Sequence, residues 1–172
     1  MTPAREPVHI RWMIRRDMPE VLAISAVSGY PWAEEQFCRR LRKRNVIGMV
    51  AEGGEWGHEY TPVIAGYMVY HLDRSTLTLL ALAVEPTWRR QGVGAALMRR
   101  LRQKLQRHGR DRLVARARET DDRAIHWLRS QGLRAVGVER DCYPDCDGYL
   151  FSAVAEPAEP SPKKGGGLWQ DC

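Results

Sequence analysis

The 172-residue sequence lacks the features that mark metal-binding, disulfide-stabilised and membrane-spanning proteins. Its four cysteines form no C-x-x-C pair and no cysteine–histidine cluster with zinc spacing, so no metal site is predicted. Reduced thiols in a cytoplasmic protein are expected. No run approaches the roughly 18 to 20 apolar residues of a membrane helix, and the first ten residues contain no apolar signal segment. The sequence therefore predicts a soluble protein with no membrane partner.

Acidic residues are fewer than basic ones, since the chain has 21 acidic residues and 27 lysine and arginine residues. The formal net charge of +6 is typical of proteins that bind nucleic acid, an acidic partner or a polyphosphate cofactor. Much of the excess is arginine between residues 89 and 118. No recognition-helix motif accompanies these arginines, and a polyanionic cofactor would account for part of the charge. Nucleic acid is therefore not predicted as a partner.

Hydrophobic periodicity predicts one mixed α/β domain over residues 8–154. Helices are expected at about 17–29, 34–43, 93–108 and 121–131. Strands are expected at about 46–51, 63–70, 77–84, 113–117, 135–140 and 149–154, with a further strand near 10–14 and a loop over 141–148. Residues 1–7 and the Pro-, Gly- and Lys-rich segment 155–172 are expected to be flexible.

A glycine-containing segment follows the buried strand and begins the third helix: Arg89-Arg90-Gln91-Gly92-Val93-Gly94-Ala95. Glycine lets the backbone approach a ligand closely, and the N–H groups of a first helical turn attract anions. The two arginines add charged donors. The segment is neither a P-loop nor a dinucleotide fingerprint, because no G-K-[ST] follows and Leu97 replaces the third glycine. It predicts an anion site, the alternative being a tight turn with close helix packing.

These features resemble the Gcn5-related N-acetyltransferase (GNAT) superfamily. Residues 82–97 are similar to its acetyl-CoA motif, and residues 120–133 are similar to its second motif, a helix that usually begins at Asn. The resemblance implies an α/β fold with six to seven strands, splayed between the fourth and fifth, and about four helices. It implies acetyl-CoA as co-substrate, with a backbone N–H near Ala83 polarising the thioester carbonyl. The implied cofactor-binding residues are Leu82, Ala83, Val84, Arg89, Arg90, Gln91, Gly92, Val93, Gly94, Ala95, Asp121 and Leu128.

Two further segments are similar to the ribosomal-protein alanine N-acetyltransferases and other protein N-terminal acetyltransferases. Residues 30–37 are similar to a Pro-Trp-Ser-x-x-x-Phe segment, and residues 138–145 to an Arg-x-Tyr-Tyr loop that helps to hold the substrate N-terminus. The resemblance implies that Trp32 and Tyr143 bind the acceptor. That acceptor would be a protein or peptide N-terminus, a ribosomal protein included. A small-molecule amine is the alternative acceptor.

The sequence departs from this subgroup where acid–base chemistry is expected. Arg116 stands in place of the usual glutamate base, and Leu128 in place of the usual tyrosine acid. Glu119 and Tyr143 are the candidate catalytic replacements. A thiolate whose acid has a pKa of roughly 8.5 can leave without a proton donor, and an α-amine of pKa roughly 7.7–8.0 is about one-third neutral near pH 7.5. Acetyl transfer to an N-terminus therefore remains feasible, with a non-catalytic acyl-CoA-binding module as the alternative.

Overall fold

A computed structural model describes residues 8–54, 62–107 and 109–155 and contains one mixed sheet with helices on both faces. The sheet order is β1-β2-β3-β4-β5-β7-β6. The strands are β1 (His9–Trp12), β2 (Val46–Gly53), β3 (Val63–Leu72), β4 (Thr76–Val84), β5 (Arg112–Arg118), β6 (Arg134–Tyr143) and β7 (Cys146–Val154), and the helices are α1 (Met18–Ala26), α2 (Glu34–Leu41), α3 (Val93–Arg107) and α4 (Asp122–Ser130). This architecture confirms the predicted α/β fold class. The segments 1–7 and 156–172 lie outside the described residues.

The sheet separates two hydrophobic cores, as expected when successive strand residues point to opposite faces. On the α1–α2 face, Val21, Phe37 and Val50 are fully buried. The other core belongs to α3 and α4. It contains the residues that repeat every four positions along α3, Val93, Leu97, Leu101 and Leu105, each at most 2% exposed. None of the described helices is long and apolar enough to cross a membrane.

Strands β4 and β5 form a parallel pair that is interrupted after a few residues. Residues 76–79 of β4 pair with residues 112–115 of β5, and no pairing continues beyond them. The register between β3 and β4 shifts at the same place, from Tyr70 opposite Leu79 to Val69 opposite Ala81, which leaves Leu80 as a bulge. The strand ends that do not pair with each other, residues 80–84 of β4 and 116–118 of β5, flank a gap, here called the opening. The splay predicted between strands 4 and 5 is therefore confirmed.

The β6–β7 hairpin is longer than predicted, because most of the expected loop over 141–148 belongs to the strands. Tyr143 lies opposite Cys146, and only Pro144 and Asp145 form the turn. A register shift between Glu139 and Tyr143 and a positive φ of 52° at Asp141 allow the strand to continue through this polar sequence. The aspartates and the proline suggested a loop where the structure has a bulged hairpin.

Helix α1 begins close to the predicted residue 17 but ends earlier than predicted. Asp17 precedes the helix, but its carboxylate makes no capping hydrogen bond to α1. It accepts instead from the Ile14 N–H at 2.8 Å and from the Arg11 guanidinium at 2.7 and 2.8 Å. The helix ends at Ala26 and not near Gly29. The connection to α2 is held by Ser25, whose hydroxyl accepts from the Trp32 N–H at 2.8 Å.

Candidate active site

The chain turns sharply between β4 and α3. Glu85 accepts a hydrogen bond from the Thr87 N–H at 2.8 Å, and the Gln91 side chain donates to the Thr87 carbonyl at 2.7 Å. Arg90 and Gly92 both have left-handed backbone conformations, with φ of 57° and 82°. Within the described part of the chain, the N–H groups of residues 91–95 have no hydrogen-bond acceptor. A helix start with several free donors can bind an anion such as a pyrophosphate.

The two glycines of this segment have different surroundings. A Cβ atom built on Gly92 would meet no atom within 4 Å, so this residue is required for its positive φ and leaves open space at the helix start. A Cβ atom on Gly94 would lie 3.3 Å from the Trp127 ring. Gly94 therefore serves the packing of α3 against α4, whereas Gly92 shapes the anion site. The residues present fit a polyphosphate cofactor.

The two arginines of the segment also differ. Arg89 donates through Nε to the Val84 carbonyl at 3.1 Å and through Nη2 to the Val27 carbonyl at 3.4 Å. It therefore joins the end of β4 to the end of α1. Arg90 is exposed beside Gly92. Of the two predicted anion ligands, Arg90 is the one whose side chain makes no hydrogen bond within the described residues.

The edge of β4 at the opening offers backbone groups to a ligand. The Glu85 N–H donates to the Ala65 carbonyl of β3 at 2.9 Å. Because hydrogen-bonding direction alternates along an antiparallel strand, Ala83 directs its N–H towards β3, whereas Leu82 and Val84 direct theirs into the opening. The donor near Ala83 that could polarise a carbonyl in the opening thus belongs to Leu82 or Val84 and not to Ala83.

The structure gives Asp121 and Leu128 roles other than the expected contact with the cofactor. Asp121 caps α4, accepting from the Ala124 N–H at 3.0 Å through one carboxylate oxygen. Its other oxygen lies 2.5 Å from the position that a Cβ on Gly29 would occupy, so Asp121 also packs against the α1–α2 connection. Leu128 is 4% exposed and belongs to the core between the sheet and α3 and α4. The cap and the core packing account for these two side chains.

On the other side of the opening, Arg118 at the end of β5 contacts two tyrosines. The rings of Tyr30 and Tyr143 contact edge to face, with centroids 4.9 Å apart. The Arg118 guanidinium lies 5.6 Å from the Tyr30 ring and 5.5 Å from the Tyr143 ring, and it pairs with Asp145. The α1–α2 connection and the β6–β7 hairpin are therefore joined beside the opening by aromatic and cation–π contacts.

Trp32 does not take part in this cluster, contrary to the expected substrate contact. It is 6% exposed and packs edge to face on Phe37, with ring centroids 5.2 Å apart. Tyr30, two residues earlier, occupies the place beside Tyr143 instead. Sequence reasoning gave Tyr30 no role, although it directly precedes the Pro-Trp pair that suggested an acceptor-binding segment.

The groups that could move protons are arranged differently from the sequence expectation. Arg116 forms an ion pair with Glu139 of β6, and the hydrogen bond from Arg116 holds the pKa of Glu139 below its usual value. Burial raises the pKa of Tyr143 to about 12, so its hydroxyl stays protonated at neutral pH and can donate but not accept a proton. Glu119 accepts from the Asp147 N–H at 3.3 Å and anchors the hairpin. No strong base is evident among the described residues around the opening.

The splayed sheet and the free N–H groups at the start of α3 together define a mixed α/β fold that can hold a polyanionic co-substrate. A model of the acetyltransferase (GNAT) family matches residues 12–133. The chain belongs to this family; it is an N-acetyltransferase, and its co-substrate is acetyl-CoA.

Individual relatives are more distant. The chain is 26% identical over 133 residues to the ribosomal protein bS18-alanine N-acetyltransferase of Escherichia coli K12, covering 77% of this chain and 84% of that relative. The crystal structure of the ribosomal-protein-S18-alanine N-acetyltransferase from Escherichia coli superposes with a TM-score of 0.72 at 22% identity, covering 90% of this chain and 98% of that one. Arabidopsis thaliana NAA60 in complex with acetyl-CoA superposes with a TM-score of 0.71 at 15% identity, covering 86% and 98%.

Proposed function

We propose that this N-acetyltransferase acetylates the N-terminal α-amine of a protein or peptide, a ribosomal protein being one candidate. The observation that carries this proposal is the contact between Tyr30 and Tyr143, which places an aromatic wall beside the opening. The curated relative that acts on the alanine of a ribosomal protein supports the same class of acceptor. An extended peptide could lie between the α1–α2 connection and the β6–β7 hairpin with its amine directed into the opening.

Acetyl-CoA supplies the activated acetyl group as a thioester. In the proposed arrangement, the N–H groups of residues 91–95 and the Arg90 side chain bind its pyrophosphate. The edge of β4 at Leu82 and Val84 orients the pantetheine arm, and one of these two N–H groups donates to the thioester carbonyl oxygen. Gly92 keeps space free for the phosphates. The backbone N–H groups among these are fixed by the fold before the ligand binds, which reduces the entropy that binding must overcome.

The arrangement around Arg116 favours an acceptor that is already neutral. An α-amine with a pKa of roughly 7.7–8.0 is about one-third neutral near pH 7.5, whereas a lysine side chain with a pKa of roughly 10.4 is only about 0.1% neutral there. Glu139 is a weak base because its carboxylate is hydrogen-bonded to Arg116. Near this pH, the neutral fraction of an N-terminal amine is several hundred times that of a lysine. A site without a strong base therefore favours the N-terminal amine.

The test is acetyl-CoA turnover followed by thiol release on three sets of acceptors. The first set contains peptides with free Ala, Ser or Met N-termini, the second contains the same peptides with a blocked N-terminus and an internal lysine, and the third contains small amines. Turnover confined to the first set is the expected result. Turnover confined to small amines would replace the proposal with a small-molecule acetyltransferase. Tight acetyl-CoA binding without turnover on any set would replace it with a non-catalytic module.

A further inference from the structure

Many cationic residues gather at the end of the sheet opposite the opening. Strands β2, β4, β5 and β6 begin at this end, and β3 and β7 finish there. Five cations flank these strand ends. They lie before β2, between β3 and β4, and at the starts of β5 and β6, and each is exposed or partly exposed. Together with Arg102 of α3 and Arg110 before β5 they are called the basic end: Lys43, Arg44, Arg74, Arg102, Arg110, Arg112 and Arg134.

A groove of about 750 Å³ is part of this basic end. Three arginines line it, Arg102, Arg112 and Arg134, together with polar Ser130, Gln131 and Ser152. Neither aspartate nor glutamate is among its described lining residues. Arg112 lies opposite Val154 and Arg134 opposite Ser152, so the two arginines flank the end of β7 from both sides. Arg102 donates to the Gln131 carbonyl, which holds its guanidinium at the groove.

The cations of the basic end are not neutralised by carboxylates within the described residues. None of the seven takes part in an ion pair there. Among the described residues, the acidic ones at this end are Asp73, which pairs with His71, and Asp111. Arg110 donates to the backbone carbonyl of Asp73 at 2.8 Å and not to its carboxylate. The surface therefore carries a surplus of positive charge with free donors.

The size of the basic end indicates a polymer as its partner. From β2 to β6 the sheet contains five interstrand spacings, which amount to about 24 Å at about 4.8 Å each. The phosphates of one strand of a duplex follow one another every 3.4 Å or so along the axis, so about seven would fit this length. A single nucleotide would fill only the groove. We propose that the basic end binds the phosphodiester backbone of a nucleic acid, RNA or DNA, independently of the acetyl acceptor.

The test uses the full chain and two labelled single-stranded 20-mers, rU20 and dT20, with fluorescence anisotropy at 50 to 300 mM KCl. If all seven cations contact phosphates, the logarithm of the affinity should fall against the logarithm of salt with a slope near −5, at about 0.7 per contact. The double variant Arg112→Gln/Arg134→Gln should reduce the slope by about 1.4. It should bind about 25-fold more weakly at 0.1 M salt, if both affinities converge at 1 M. A preference between the two probes would identify RNA or DNA as the partner.

A matched double variant, Arg39→Gln/Arg123→Gln, removes the same charge from α2 and α4 and should keep the parental slope and affinity. The Arg112→Gln/Arg134→Gln variant should bind acetyl-CoA as the parent does, which verifies its folding. Equal losses in both double variants would overturn the basic end as the binding surface. A polyglutamate 20-mer that competes as well as rU20 would replace nucleic acid with an acidic protein. No binding at 50 mM KCl would also overturn the inference.

Discussion

At the scale of single residues, the two glycines of the G-x-G motif have different roles. Gly92 has φ of 82° and open space at its Cβ position, whereas Gly94 is buried against Trp127. The sequence predicted a close approach to a ligand at both glycines. Only the three-dimensional packing of α4 on α3 distinguishes them, because Trp127 lies 33 residues further along the chain. Mutations at the two positions should therefore have different consequences.

Gly92→Glu should weaken acetyl-CoA binding by at least about tenfold while the fold is retained. The substitution introduces a negative charge where the phosphates are proposed to bind, and a left-handed non-glycine residue costs roughly 1–2 kcal/mol. Isothermal titration calorimetry with acetyl-CoA measures the affinity. Gly109→Glu is the matched control, since Gly109 has φ of 60° and equally open space at the far end of α3. Equal affinity in the two variants would contradict the assignment of Gly92 to the cofactor site.

Asp17 should contribute stability that depends on pH. Burial acts to raise the pKa of Asp17, but hydrogen bonds from Arg11 and the Ile14 N–H outweigh it and hold that pKa below its usual value. A carboxylate with a depressed folded pKa stabilises the protein above its unfolded pKa of about 3.9 and loses that effect as pH falls through the folded value. Asp17→Asn should therefore cost about 1.5–3 kcal/mol in urea unfolding at pH 7, with a smaller difference near pH 3.

The matched control is Glu35→Gln, which breaks the exposed ion pair between Arg39 and Glu35. The Glu35 side chain is 83% exposed, and the expected loss is below about 0.5 kcal/mol. Comparable losses from the two substitutions at pH 7 would show that the burial of Asp17 does not determine its contribution. If Asp17→Asn costs the same free energy of unfolding at pH 7 and at pH 3, the ionisation of Asp17 does not determine its contribution either.

At the scale of elements, helices were easier to predict than the hairpin. Helices α3 and α4 lie close to their predicted bounds, because the apolar spacing of α3 and the Asp121 cap of α4 are local signals. The β6–β7 hairpin is under-predicted, because Asp141, Pro144 and Asp145 favour a loop and the bulge that accommodates them depends on the partner strand. For the same reason, sequence reasoning found Tyr143 as a candidate but not the partner ring that holds it.

Substitutions at Tyr143 should separate the contribution of its ring from that of its hydroxyl. With a pKa of about 12, the hydroxyl does not titrate near neutrality. The value of kcat/KM should rise with pH towards a plateau above the α-amine pKa of roughly 7.7–8.0, and Tyr143→Phe should leave this limb in place. Tyr143→Ala should raise KM for the peptide and leave the acetyl-CoA affinity unchanged, because it removes the ring. A displaced limb in Tyr143→Phe would instead make Tyr143 the titrating group.

At the scale of the whole molecule, the order of the strands in the sheet determines contacts and charged surfaces that the sequence could not reveal. Strand β7 lies between β5 and β6, so Arg116 reaches Glu139 across an intervening strand, 23 residues away in sequence. The pattern of charge along the chain likewise mixes arginines from the two ends of the sheet. Only the fold separates Arg90 at the opening from Arg112 and Arg134 at the basic end. The sequence therefore predicted a cofactor segment but could not assign the remaining positive charge to a surface.

The two ends should bind their ligands independently. Strand β4 has nine residues, which at about 3.3 Å each give a separation near 30 Å, about three Debye lengths at 0.1 M salt. Acetyl-CoA at 100 times its Kd should stabilise the fold by about 2.7 kcal/mol, and this should raise Tm by roughly 5–10 °C. The Arg112→Gln/Arg134→Gln variant should keep the whole shift. Gly92→Glu should lose at least about half of it, because a tenfold weaker Kd leaves about 1.4 kcal/mol at the same concentration. Saturating acetyl-CoA should leave the rU20 affinity of the parent chain within about twofold. A larger change would mean that one conformational equilibrium of the sheet is shared by both ends.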